Sequence, residues 1–106
     1  MIKVTCGMAD GKILSLEIKG HAYSAEPGRD LVCSAVSAVT FGGLNALQNQ
    51  EAFTIRIEEA LVQVDVKGKA SIHDSIVLET MLMQFDTIAK DNSQYIKIIK
   101  KGKPLS

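Results

Sequence analysis

A chain of 106 residues, 46% of them hydrophobic, suits one domain with an ordinary core, here taken as 1–106, and excludes a disordered chain. Twelve Lys and Arg balance twelve Asp and Glu, which leaves no general basic field and argues against a simple RNA- or DNA-binding module. Two cysteines, Cys6 and Cys33, are too few for a disulfide scaffold or a zinc ribbon, and no apolar run approaches the roughly 18 residues of a membrane span.

The N-terminus, MIKVTCGMADGK, alternates polar and apolar residues without a continuous apolar stretch, so no secretory signal is expected and the cytoplasm is the expected compartment. IKVTCGM and KILSLEIKG read as paired strands: Ile2, Val4, Cys6 and Met8 alternate, as do Leu14, Leu16 and Ile18, and Asp10-Gly11 between them is a hairpin signal. A loop over 20–30 follows. LVCSAVSAVTFGGLNALQNQ carries the stripe Val32, Val36, Val39, Gly43, Leu47 at helical spacing, and Gly42-Gly43 marks a kink or a close approach of another backbone. TIRIEE and LVQVDVKG alternate with period two and make a second hairpin. SIHDSIVLETMLMQFDTIAKDN opens on a Ser cap and places Leu78, Leu82, Phe85 and Ala89 on one face, an amphipathic helix. YIKIIKK closes the chain as a strand, and the basic stretch KIIKKGKPLS is explained by a short solvated tail. The order ββαββαβ implies an α+β fold, two helices on a mostly antiparallel sheet, with the strand order unread.

Residues 20–37, GHAYSAEPGRDLVCSAVS, set a histidine and a cysteine twelve positions apart. Asp30 is an N-cap candidate directly before the apolar periodic run, which puts Leu31, Val32 and Cys33 in the first turn of a helix. There the orphan amides and the helix dipole favour a thiolate, and a nearby imidazolium adds to the effect. The same amides, that of Cys33 among them, could hold an oxyanion. His21 follows the second strand directly, Gly20 permits a bend, and Pro27-Gly28 helps the segment turn back. Ser37 stands one turn after Cys33, and the face Cys33, Ser37, Thr40 lies at the edge of the core stripe.

Plainer readings stand beside these. Cys6 is in phase with Ile2 and Val4 and reads as a core residue; His73 reads as solvent-facing; Met81, Met83 and Phe85 read as core. Asp30 serves as a helix cap, as an orienting group for His21, or as both. On general chemistry alone a His and a Cys at this separation are a weak signal.

The stretch resembles the motif of the ribosomal-processing cysteine protease family: Gly20-His21-Ala22, a short loop, then Gly28-Arg29-Asp30-Leu31-Val32-Cys33, with Ser37 four residues on. The one departure is Ser34, where alanine is expected. Length and element order are similar as well. The resemblance implies Cys33 as nucleophile and His21 as general base and acid, with Asp30, Ser37 and Gly20 in support. It implies no cofactor and no metal. It also implies a substrate, a large-subunit ribosomal protein with an N-terminal extension cut after an aromatic pair, and a homodimeric enzyme with no direct nucleic-acid or membrane partner. Aromatic residues before the cut require an apolar groove, and segment 22–29 is expected to form a mobile wall for it. Two other readings remain open: an assembly factor that binds a protein tail without cutting it, and a thiol redox sensor, for which Cys6 faces the wrong way.

Overall fold

The computed structural model describes residues 1–21 and 30–103. The elements run β1 (Ile2–Ala9), β2 (Lys12–Lys19), α1 (Leu31–Ala46), a short 3-10 turn (Gln50–Ala52), β3 (Phe53–Glu58), β4 (Leu61–Val66), α2 (Ile72–Asp91) and β5 (Ile96–Lys103). The expected ββαββαβ order is observed. The sheet order is β3-β4-β2-β1-β5; every neighbouring pair is antiparallel except β1 with β5, which is parallel.

Local chemistry accounts for the elements. Asp10 and Gly11 both take positive φ, 54° and 74°, so the β1–β2 hairpin closes through a two-residue turn whose twist matches its strands. Between Gly7 and Met8 the register shifts, and Met8 pairs with Ile13. Leu14 is thereby left unpaired and turned to solvent, while Ile13 is buried. The expected Leu14, Leu16, Ile18 alternation is corrected to Ile13, Leu16, Ile18.

Both helices cap as their sequences suggest: Asp30 accepts from the Cys33 amide at 2.9 Å, and Ser71 accepts from the Asp74 amide at 3.1 Å. The buried stripe of α1 is Val32, Val36, Thr40 and Leu44, continued by Leu47 past the helix end. Val39 and Gly43 are only partly buried: the buried stripe advances in four-residue steps and so drifts about 40° per step around the helix, away from the expected stripe toward Thr40 and Leu44. Thr40 is accommodated in the core because its hydroxyl donates to the Val36 carbonyl at 2.7 Å. Gly42-Gly43 does not end the helix. A Cβ on Gly43 would overlap the Met81 side chain of α2, so the close neighbour is a side chain, not the backbone expected; at Gly42 the space is open.

The core lies between one sheet face (Ile2, Val4, Cys6, Leu16, Ile18, Val62, Val64, Ile96) and the helices, with Phe85, Leu78 and Met81 of α2 at its centre. Met83 is exposed, against the expectation that it joins Met81 and Phe85. A buried carboxylate ties the helices together. Asp74 accepts from the Gln48 amide at 2.9 Å and the Asn49 amide at 3.0 Å, just beyond the end of α1, and His73 beside it contacts the Ala46 carbonyl through Nε2 at 3.0 Å. Burial alone would push the Asp74 carboxyl up; the two amides, with His73 nearby, hold it below the ordinary carboxylate range. The basic stretch expected as a tail belongs largely to β5, which runs on to Lys103.

Candidate active site

His21 reaches the site through a glycine that no L residue could replace without strain. Gly20 has φ +101°, and a Cβ there would lie 2.5 Å from the Met1 carbonyl oxygen. Its amide donates to the Ala60 carbonyl at 2.9 Å, pinning the end of β2 to the β3–β4 turn. The chain leaves that anchored point as His21, whose side chain is exposed.

Cys33 comes from the other direction, at the third position of α1. It is partly buried and packs on the edge of the core, as the angle between its face and the core stripe requires. Ser37, one turn on, is exposed, and Thr40 lies below it. Cys33, Ser37, Thr40 and His21 line one cavity of about 210 Å³. Its remaining walls are Ile2 and Ile18 from the sheet, Gly20 just past the end of β2, Val36 and Phe41 from α1, and Glu58, Ala60, Leu61 and Val62 from the β3–β4 hairpin. An imidazole, a thiol and a helix start thus share a recess with apolar sides. A thiol at a helix start and an imidazole in the same recess are the residue types that nucleophilic attack on a carbonyl uses.

The geometry changes one expectation. The Cys33 amide, expected among the oxyanion donors, is engaged by the Asp30 carboxylate. Asp30 therefore caps the helix and holds the backbone of the thiol-bearing residue itself. Ser34 adds to this start, its hydroxyl donating to the Asp30 carbonyl at 3.1 Å. Ala22, Gly28, Arg29 and the expected wall over 22–29 lie outside the described residues.

Phe41, Leu61, Ala60 and Glu58 were not anticipated at the site. Phe41 follows Cys33 by two helical turns, a spacing visible in the sequence. The hairpin residues arrive only because β4 pairs with β2, setting Lys19 opposite Leu61. Glu58 is held by Arg56 of its own strand, which keeps its carboxyl below the ordinary range. Cys6 is sealed in the core, and burial pushes its thiol up, so it is no resolving partner for Cys33. A second, larger recess of about 460 Å³ lies between α1 and α2, away from the thiol. No helix among the described residues is long and apolar enough to cross a membrane.

Comparison with known proteins bears on this arrangement. The family model for cysteine protease Prp matches residues 1–97. The ribosomal processing cysteine protease Prp of Bacillus subtilis is 31% identical, the match covering 92% of this chain and 96% of that protein. The Staphylococcus aureus ribosomal processing protease Prp, solved with a covalently linked product peptide, superposes with a TM-score of 0.88 at 28% identity, over 95% of this chain and all of that one. The same enzyme solved with a substrate peptide gives a TM-score of 0.76 at 26% identity, with 95% and 100% covered.

Proposed function

The chain belongs to the Prp family of cysteine proteases, and on that premise we propose that Cys33 is its nucleophile and His21 its general base and acid. Its substrate in this reading is a large-subunit ribosomal protein, from which it removes an N-terminal extension during bacterial ribosome assembly. It works as a single-domain enzyme, homodimeric and cytoplasmic, with no cofactor. The supporting observation is that His21 and Cys33 line one cavity at the opening of α1.

The Cys33 thiolate attacks the scissile carbonyl carbon, and the carbonyl electrons move to oxygen. Amides of the opening turn other than that of Cys33 hold the oxyanion, since Asp30 occupies the latter. As the tetrahedral adduct collapses, the C–N bond breaks and the His21 imidazolium protonates the departing amine. The extension remains on Cys33 as a thioester. His21 then takes a proton from water, the hydroxide adds to the thioester, and the thiolate leaves as the extension departs with a new carboxyl group. Gly20 positions His21, Asp30 positions the backbone of Cys33, and Ser37 provides a hydroxyl one turn below the sulfur. Phe41 and Leu61 furnish apolar walls for side chains preceding the cut.

The test is to incubate the protein with the extended ribosomal protein and weigh the products. Two fragments are expected from wild type, and the intact substrate from Cys33→Ala with an unchanged melting temperature. Cleavage by Cys33→Ala at the wild-type rate rejects the assignment. A stable complex with uncut substrate in wild type supports the non-catalytic tail binder instead.

A further inference from the structure

The zero net charge of the chain is not evenly spread by the fold. On the sheet face turned away from the helices, Lys3 pairs with Lys19 on one side and with Lys97 on the other, so three lysines stand in one row across β2, β1 and β5. All three are exposed. Lys101, opposite Gly7, and Lys12, opposite Ala9, extend the field. Among the described residues of β1, β2 and β5 on this face, Glu17 is the one carboxylate; β4 and β3 add Asp65 and Glu58, the latter held by Arg56, so the positive field is confined to the β2-β1-β5 side of the sheet.

Such a row carries a cost. Side chains directly opposite on neighbouring strands have Cβ atoms about 4.5–5.5 Å apart, and like charges there destabilise the sheet. Lysines on an edge strand are commonly explained as a guard against strand pairing, which would cover Lys97 and Lys101 on β5. It does not cover Lys3 and Lys19, which sit on interior strands. The row also borders the catalytic recess. Lys19 directly precedes Gly20 and His21, and its partner Leu61 on β4 lines the cavity.

Against the expectation of no direct nucleic-acid partner, we propose that this lysine face binds the phosphate backbone of structured RNA and so holds the enzyme beside its substrate. Strands are spaced about 4.7–4.9 Å apart, so the Lys97–Lys3–Lys19 row spans roughly 10 Å, and Lys97 to Lys101 roughly 13 Å along β5. The intervening positions are Thr5, Gly7, Ser15, Glu17 and Ile99, with no aromatic ring on which an unpaired base could stack. Lysine offers a point charge rather than the planar fork that reads a base edge. The chemistry therefore fits backbone phosphates of a duplex, without sequence preference. The choice of RNA over other polyanions rests on the ribosomal reading above, because a protein bound for the ribosome is met among RNA.

The test measures binding of a fluorescent RNA duplex of arbitrary sequence by anisotropy at several salt concentrations, with cleavage of a short substrate peptide followed in parallel. Three phosphate contacts imply a salt slope of about −2.7, or roughly 40-fold weaker binding between 50 and 200 mM salt. Lys3→Gln, Lys19→Gln and Lys97→Gln together are expected to weaken binding at least tenfold and flatten the slope, with peptide cleavage and melting temperature retained. The same three positions as arginine are expected to restore binding. Lys67→Gln, Lys69→Gln and Lys90→Gln, which remove exposed lysines elsewhere, are expected to leave it unchanged. Failure of the wild type to bind at 50 mM salt overturns the proposal. So does equal loss in the control triple, no rescue by arginine, or tighter binding of polyglutamate or anionic vesicles than of RNA. A wild type that cuts the peptide and ignores RNA sinks the lysine face alone; one that binds RNA and cuts nothing sinks the substrate reading alone.

Discussion

Gly20→Ala strikes the joint between fold and site. At φ +101° an L side chain is strained, and leaving the left-handed half of backbone space empty is worth about 1–2 kcal/mol per residue. The added Cβ would also stand 2.5 Å from the Met1 carbonyl oxygen, a backbone atom beside Ile2, which is buried and bonded through its amide to Tyr95 at 2.8 Å. That neighbour cannot rotate away, so β1 or the end of β2 must shift. Together these set a cost of about 2–4 kcal/mol, which for a domain of this size lowers the melting temperature by roughly 10–20 °C. Because the next residue is His21, the shift also misplaces the imidazole, and a displacement of about 1 Å can cost on the order of 100-fold in rate. Gly42→Ala is the matched control: it sits in α1 with open space around its Cβ and is expected to stabilise by about 1 kcal/mol through helix propensity alone. Thermal melts and peptide cleavage at a temperature where both variants are folded read the two effects. If Gly20→Ala melts within a degree or two of wild type and cleaves at the wild-type rate, the steric argument is wrong.

Asp74→Asn places an amide nitrogen where the Gln48 or Asn49 N–H points, and is expected to cost about 1–3 kcal/mol in chemical denaturation at pH 7. The Asp74 carboxyl is held below its ordinary value, so its contribution is complete above the unfolded value of about 4 and fades as the pH falls through the lower folded value. The gap between wild type and variant should therefore close in acid, and a pH-independent gap contradicts the assignment. Gly43→Ala must displace the buried Met81 side chain and is expected to destabilise by about 1–3 kcal/mol, opposite in sign to its neighbour Gly42→Ala. Equal melting shifts for the two alanines would contradict the packing described between α1 and α2.

What could be read from the sequence was chemistry that acts over a few residues. The Asp10-Gly11 turn and the Asp30 and Ser71 caps all connect groups two to three positions apart, and each stands where its type requires. Leu14 failed because a bulge breaks period two without leaving a mark in composition. Asp74 was unreadable because the amides that stabilise it lie 25 and 26 residues earlier in the chain. The same reason hid the far wall of the cavity, where Leu61 and Ala60 meet Gly20 only through the β2–β4 pairing. The lysine row is a third case: Lys3, Lys19 and Lys97 are scattered in a neutral sequence and become neighbours only through sheet register. Motif and spacing brought His21, Cys33 and Ser37 into view; tertiary pairing alone shows what surrounds them.

The most direct test of the account is the intact mass of the enzyme quenched in acid during turnover, followed by mapping of the modified residue. Wild type is expected to carry the acyl portion of the substrate as a thioester on Cys33, and Cys33→Ala to carry none. An adduct on Cys6, or continued cleavage by Cys33→Ala with no adduct at all, would contradict it.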